Sequence, residues 1–121
     1  MIYNIGSINA DYFYNVSHIP RPGETLAATR VERGLGGKGV NQSVAMKNAG
    51  SSVRHLGAVG EDGEWMVEKL SSAGVDTARI VSLSGPSGHA IITIAGDGEN
   101  AITIFPGANR LIDSNQVQLW L

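Results

Sequence analysis

The stretch GLGGKGVNQ, residues 34–42, places four glycines and a lysine just ahead of a segment with helical spacing. Glycine lets a chain turn sharply or approach a ligand closely, but each one costs conformational entropy on folding. Gly34, Gly36, Gly37 and Gly39 exceed what a plain strand-to-helix connection needs. A phosphate-binding P-loop requires G-x-x-x-x-G-K followed by Ser or Thr. Here Glu32 stands at the first glycine position and Gly39 follows Lys38. A dinucleotide fingerprint, G-x-G-x-x-G, is matched by Gly34, Gly36 and Gly39, with Glu61 and Asp62 near the separation of a ribose-binding acid. That motif belongs directly after a central apolar strand, whereas ATRVERGL is polar and follows a proline-marked excursion. A turn that binds nothing is a third option, and Lys38 at a helix N-terminus, against the macrodipole, speaks against it. What remains is a turn that admits a ligand to the backbone, with Lys38, Asn41 and Gln42 offering polar groups.

Outward from this cluster, the chain alternates strand and helix signals. MIYNIGSI reads as a buried strand ending at Gly6, Asp11 to Val16 as an aromatic amphipathic stretch, and Pro20 with Pro22-Gly23 as a turn. Thr25 to Arg33 is β-favouring and weakly apolar. Val40, Val44, Ala45, Met46 and Ala49 predict a helix of about three turns, stopped by Gly50. Ser52 to Val59 predicts a strand, Asp62 to Ala73 a helix stopped by Gly74, and Arg79 to Leu83 a short strand. AIITIAGDGENAITIF, residues 90–105, reads as a β-hairpin turning at Asp97-Gly98. DSNQVQLWL starts like a helix capped at Asp113 or Ser114, and the chain is expected to stop in mid-element. Ser82 to Gly88 and Pro106 to Asn109 are linker-like. The order matches a βαβ-type layered α/β domain.

Composition narrows the function classes. The 121 residues suffice for one domain, with 42% hydrophobic and 17% charged residues and a formal net charge of −2. Nine scattered basic residues give no footprint for nucleic acid. With no cysteine, disulfides, thiolate zinc sites and a cysteine nucleophile are excluded together. Neither a secretory signal nor a membrane span is legible, and the expected compartment is the cytoplasm. His18, His55 and His89 share no ligand spacing, and no metal site is expected. Glu61, Asp62 and Glu64 read as the acidic first turn of a helix, and Trp65 and Trp120 as packing residues.

GSINAD, residues 6–11, supplies a companion to the glycine cluster. Asn9 and Asp11 follow the first strand, and their i, i+2 spacing puts both side chains on one face of an extended segment. An ionised Asp accepts from two neighbouring hydroxyls at once, which suits a sugar diol. Either residue alone would be read as an Asx-capped strand exit; together with the glycines they point to a polar ligand.

At this point the chain resembles the ribokinase-like (PfkB) carbohydrate kinases, most closely their ribokinase branch. The likeness is carried by GSINAD, by PGET at 22–25, by GGKGVNQSVA at 36–45, by GAVGEDGEW at 57–65, and by DGEN and PGAN at 97–100 and 106–109. These stretches span nearly the whole sequence. The resemblance implies a Rossmann-like ribokinase fold: the amino-terminal part of a three-layer α/β/α domain with a small β-sheet lid from about 10–35 and 88–106. It implies an ATP-dependent kinase acting on the hydroxymethyl group of ribose or a related sugar. Asn9 and Asp11 would bind sugar hydroxyls, Gly37 and Lys38 would contact the sugar, Asn41 would add an amide, and Ala90 and Ile104 would give apolar contact from the lid. Lids in this family often pair two subunits, so a homodimer is expected.

The same resemblance places a Gly-Ala-Gly-Asp base motif, together with the groups that handle ATP and Mg2+, in a later part of a much longer chain. AGDG at 95–98 lies in the expected hairpin turn and is not that motif. The chain is therefore expected to be a sugar-binding portion without catalytic residues of its own. A non-catalytic sugar-binding or dimerising module is the alternative.

Overall fold

A computed structural model describes all 121 residues. Two regions share the chain. The first is an α/β body. Strand β1 (Ile2–Ile5) lies parallel to a later strand at Val53–Leu56, with Ile2 opposite Val53 and Ile5 opposite Leu56. The second is a four-stranded sheet that leaves the body at β2 (Asn9–Val16) and returns through β3 (Arg30–Gly36). Helix α1 (Lys38–Asn48) follows β3 directly and leads into β4, the Val53–Leu56 strand. Then come β5 (Ala58–Val59), α2 (Glu64–Ser72) and β6 (Val81–Ser82), with β5 and β6 parallel, a short βαβ unit. The hairpin β7 (Gly88–Ala95) and β8 (Asn100–Phe105) completes the sheet in the order β3-β2-β7-β8. A 3-10 helix (Gly107–Leu111) and α3 (Ser114–Trp120) close the chain.

The body holds the core. Ile8, Val40, Val53, Val59, Met66, Leu70 and Val75 are buried together, joined by Ala10 from the start of β2. Both long helices end as their glycines predict. Gly50 and Gly74 take positive φ, and the backbone N–H groups of Ser51 and Val75 reach back to Met46 and Leu70. The α1 N-terminus crosses β1 so closely that a Cβ on Gly39 would sit on the backbone of Gly6 and Ser7. Beneath the crossing runs a buried polar chain. The Gly6 carbonyl can only accept, so His55 Nε2 donates to it (3.0 Å). That leaves His55 Nδ1 to accept from Ser43 Oγ (2.8 Å), which accepts in turn from Asn4 Nδ2 (3.0 Å). Burial pushes the His55 imidazole down from its usual pKa, so the neutral ring is the native one.

Several sequence expectations change. The predicted Thr25–Arg33 strand begins only at Arg30, because β2 ends at Val16 and offers no partner to most of the segment before it. Gly34 and Gly36 therefore lie in β3, and only Gly37, at φ +100°, makes the turn into α1. The predicted Ser52–Val59 strand divides at Gly57. Asp62 precedes α2 rather than entering its first turn, and its carboxylate accepts from the Ser87 N–H (2.8 Å). Partial burial, the largest single influence, works against its charge, but the hydrogen bonds of Ser87 and of its own backbone, with His89 nearby, together hold the carboxyl below the usual range. Pro106 to Asn109 is no linker, since it enters the 3-10 helix and Ala108 is fully buried. Trp120 is buried, its indole N–H donating to the Arg79 carbonyl (2.9 Å), while Leu119 and Leu121 stay exposed. No helix is long and apolar enough to cross a membrane.

Candidate functional site

The sheet register assembles most of the expected residues. Asp11 on β2 lies opposite Gly34 on β3 and Ala90 on β7, and Ala90 lies opposite Ile104 on β8. The neighbouring row is Gly36, Asn9 and Gly88. Residues in register share a face, so Asn9, Asp11, Ala90 and Ile104 stand together on one side. The opposite side turns to the body: Ala10, Tyr12 and Leu35 pack on the core, and the Arg33 guanidinium lies 3.8 Å over the Trp65 ring. Ala90 is buried, whereas Ile104 is 64% exposed. The site face is thus open on the β8 side.

Asp11 is a carboxylate without a protein donor. Burial alone acts on it and raises its pKa above the ordinary value. It stands over Gly36, where a Cβ would land on the carboxylate itself. Three of the four glycines therefore meet needs internal to the fold: Gly36 clears Asp11, Gly37 turns, and Gly39 clears the Gly6-Ser7 backbone that follows β1. Their number is not in itself a sign of a ligand. The carboxylate left unpaired in a half-buried place is the stronger sign.

Asn9 presents an amide beside it. Its Oδ1 accepts from Asn109 Nδ2 (2.7 Å), and its own Nδ2 has no protein partner yet is not sealed from solvent. Gly37, Lys38 and Asn41 follow at the start of α1, where the N-cap Gly37 has no side chain and Ser7 Oγ accepts from the Gly39 N–H (3.4 Å). The Ser7 carbonyl takes the Val40 N–H (3.1 Å), and Lys38 and Asn41 remain exposed without ion pair or side-chain bond. Asn9, Asp11, Lys38 and Asn41 line none of the larger surface grooves. Asn9 and Asp11 stand on an open sheet face next to a groove of about 290 Å3 lined by Gly6, Ser7 and Asn109 among others.

The three histidines occupy separate places. His18 pairs with Glu24, His55 is the buried ring under α1, and His89 packs between Tyr12, which it meets edge-on, and Phe105. Ser7 and Asn109 were not expected at the site. Both lie inside motifs already singled out, GSINAD and PGAN, but nothing local says that a residue a hundred positions away meets Asn9.

A family model described as pfkB family carbohydrate kinase matches residues 1–120. The chain belongs to the pfkB family of carbohydrate kinases. Its relatives within the family include ribokinases and deoxyribokinases. The ribokinase of Haemophilus influenzae is 38% identical over 108 residues, which cover 87% of this chain and 35% of the relative. A ribokinase structure from Cryptococcus neoformans in complex with ADP superposes with a TM-score of 0.82 at 44% identity, covering 88% of this chain and 34% of that one. The Arabidopsis thaliana ribokinase structure, complexed with ribose and ATP, gives a TM-score of 0.82 at 34% identity and covers 89% and 36%. The fold is thus that of the ribokinases, and the chain spans about a third of the length of these family members.

Proposed function

We propose that this chain is the sugar-binding portion of a carbohydrate kinase that phosphorylates the hydroxymethyl group of ribose or a related sugar. The observation that carries the reading is the unpartnered Asp11 carboxylate beside the free Asn9 amide nitrogen, on one sheet face at the entry to α1. Asp11 accepts from sugar hydroxyls, Asn9 donates, and Lys38 and Asn41 contribute from the first turn of α1. Ala90 and Ile104 set an apolar wall, and the four-stranded sheet acts as the lid. The Arabidopsis relative, solved with ribose and ATP, supports this class of substrate.

ATP with Mg2+ would supply the transferred phosphoryl group in the intact enzyme. No residue here is assigned to either, and the Asp97 of AGDG lies in the exposed turn between β7 and β8. Holding one substrate without groups that stabilise the transition state accelerates nothing. On this reading the 121-residue chain holds sugar but does not turn over on its own. Incubation with ATP, Mg2+ and a panel of ribose, fructose and nucleosides should release no sugar-dependent ADP; sustained release would overturn the reading.

The sheet also serves as a dimer surface. Phe13, Ile92 and Ile102 continue the site face outward, and the outer edges of β3 and β8 are unpaired. Sedimentation should show a concentration-dependent dimer, and a strict monomer at high concentration would refute the pairing.

A further inference from the structure

We propose that Asn109 is a positioning residue that sets the direction of the Asn9 amide, so that Asn9 turns its NH2 group, and not its carbonyl, toward whatever binds beside Asp11. The inference rests on the sugar-site reading and deepens it.

The argument follows from donors and acceptors alone. The oxygen and nitrogen of an Asn side chain look alike, and their assignment must come from the groups they meet. For Asn109 those groups are backbone, whose polarity is fixed. The Ile8 N–H donates to Asn109 Oδ1 (2.9 Å), and the Ile8 carbonyl accepts from Asn109 Nδ2 (3.2 Å). Turning the Asn109 amide over would set N–H against N–H and oxygen against oxygen. Its second Nδ2 hydrogen then points to Asn9 at 2.7 Å, and only an oxygen can receive it. Asn9 must therefore place Oδ1 inward and Nδ2 outward.

Packing holds the arrangement rigid. Ala108, the preceding residue, is fully buried, and its N–H donates to the Pro86 carbonyl (3.1 Å). Gly88, opposite Asn9 on β7, has no room for a Cβ, which would fall on Asn109 Nδ2. PGAN at 106–109 thus acquires a role that its linker-like composition hides.

The consequence is a matched pair on the site face: a donor at Asn9 Nδ2 and an acceptor at Asp11. One hydroxyl satisfies both, accepting from the first and donating to the second. An ether can only accept, and an ammonium can only donate. Asn109 makes the site one for hydroxyls.

Two arms test this. In the ligand-free chain, side-chain amide proton exchange by NMR should find the Asn109 NH2 protected and the Asn9 NH2 open to water. In Asn109→Asp, which cannot donate, the Asn9 NH2 should turn inward and become the protected one. Protection of Asn9 rather than Asn109 in the unsubstituted chain overturns the proposal without any variant.

The second arm is ribose affinity, with fold checked by circular dichroism and thermal melting. Asn109→Asp should weaken ribose about tenfold, the size of one lost hydrogen bond. In an Asn9→Ala background the same change should cost nothing further, because the group it orients is gone. An undiminished penalty in that background would mean that Asn109 only holds the fold, and the positioning role would fall. If ribose fails to bind the unsubstituted chain, the sugar reading fails, while the exchange arm still decides the orientation.

Discussion

The body and the four-stranded sheet are built on opposite terms. In the body, Ile8, Val40, Val53, Val59, Met66, Leu70 and Val75 form one buried cluster, and even its polar residues Ser43 and His55 are sealed and paired. In the sheet, all six residues of β8 are exposed, and the carboxylate of Asp11 is half-buried with no partner. A fold that satisfies its polar groups in one region and leaves them unsatisfied in another marks the second as the place for a ligand. The glycine cluster straddles this boundary. Gly39 serves the body, Gly36 serves the sheet, and the two should fail differently.

Gly39→Ala is expected to have the largest effect. Its methyl would meet the Gly6 and Ser7 backbone, which cannot move aside without parting α1 from β1. The loss should be about 3 kcal/mol, the upper range for overpacking, read as a fall in the urea midpoint. Gly36→Ala meets a side chain instead, and Asp11 can swing away. The midpoint should change little, while ribose binding is lost. Equal destabilisation by the two substitutions would erase the distinction between the regions.

A smaller effect sharpens the comparison through pH. The native pKa of His55 lies below its unfolded value, so the unfolded chain binds the extra proton first as pH falls. The stability contributed by the neutral ring is full above the ordinary histidine value of about 6.5 and is lost on acidification below it. Melting temperature should drop by several degrees between neutral pH and mild acid, and His55→Gln should flatten the profile. Asp11 is shifted the other way, and its raised pKa means that on acidification ribose affinity is lost at a higher pH than an ordinary aspartate would show. A pH profile of stability unchanged by His55→Gln would remove the sealed chain from the account.

What could be read from the sequence divides along the same line. Helix stops at Gly50 and Gly74, the Asp97-Gly98 hairpin and the capped start of α3 at Asp113 are local chemistry, and they appear where expected. GSINAD and GGKG announced the family because motif order survives in a linear string. The reason for each glycine did not, since Gly39 answers to Gly6 and Gly36 to Asp11, contacts made only after folding. The parallel pairing of β2 with β7 and the bond from Asn109 to Asn9 span still longer separations. His55 carries no sign in the sequence that it is buried rather than exposed. Burial, parallel pairing and amide direction are properties of the assembled chain, and no periodicity encodes them.

The most direct test of the sugar face is a titration of this chain with ribose, followed by two-dimensional 1H–15N NMR. Saturable shifts should gather at the backbone amides of Asn9, Asp11, Gly36, Gly37 and the first turn of α1, and leave Tyr12 and Thr93 on the opposite face unmoved. Asp11→Ala should abolish them, with a loss exceeding about 1.5 kcal/mol, the lower range for a hydrogen bond to a charged group. An absence of saturable shifts, or the same shifts surviving in Asp11→Ala, would contradict the account.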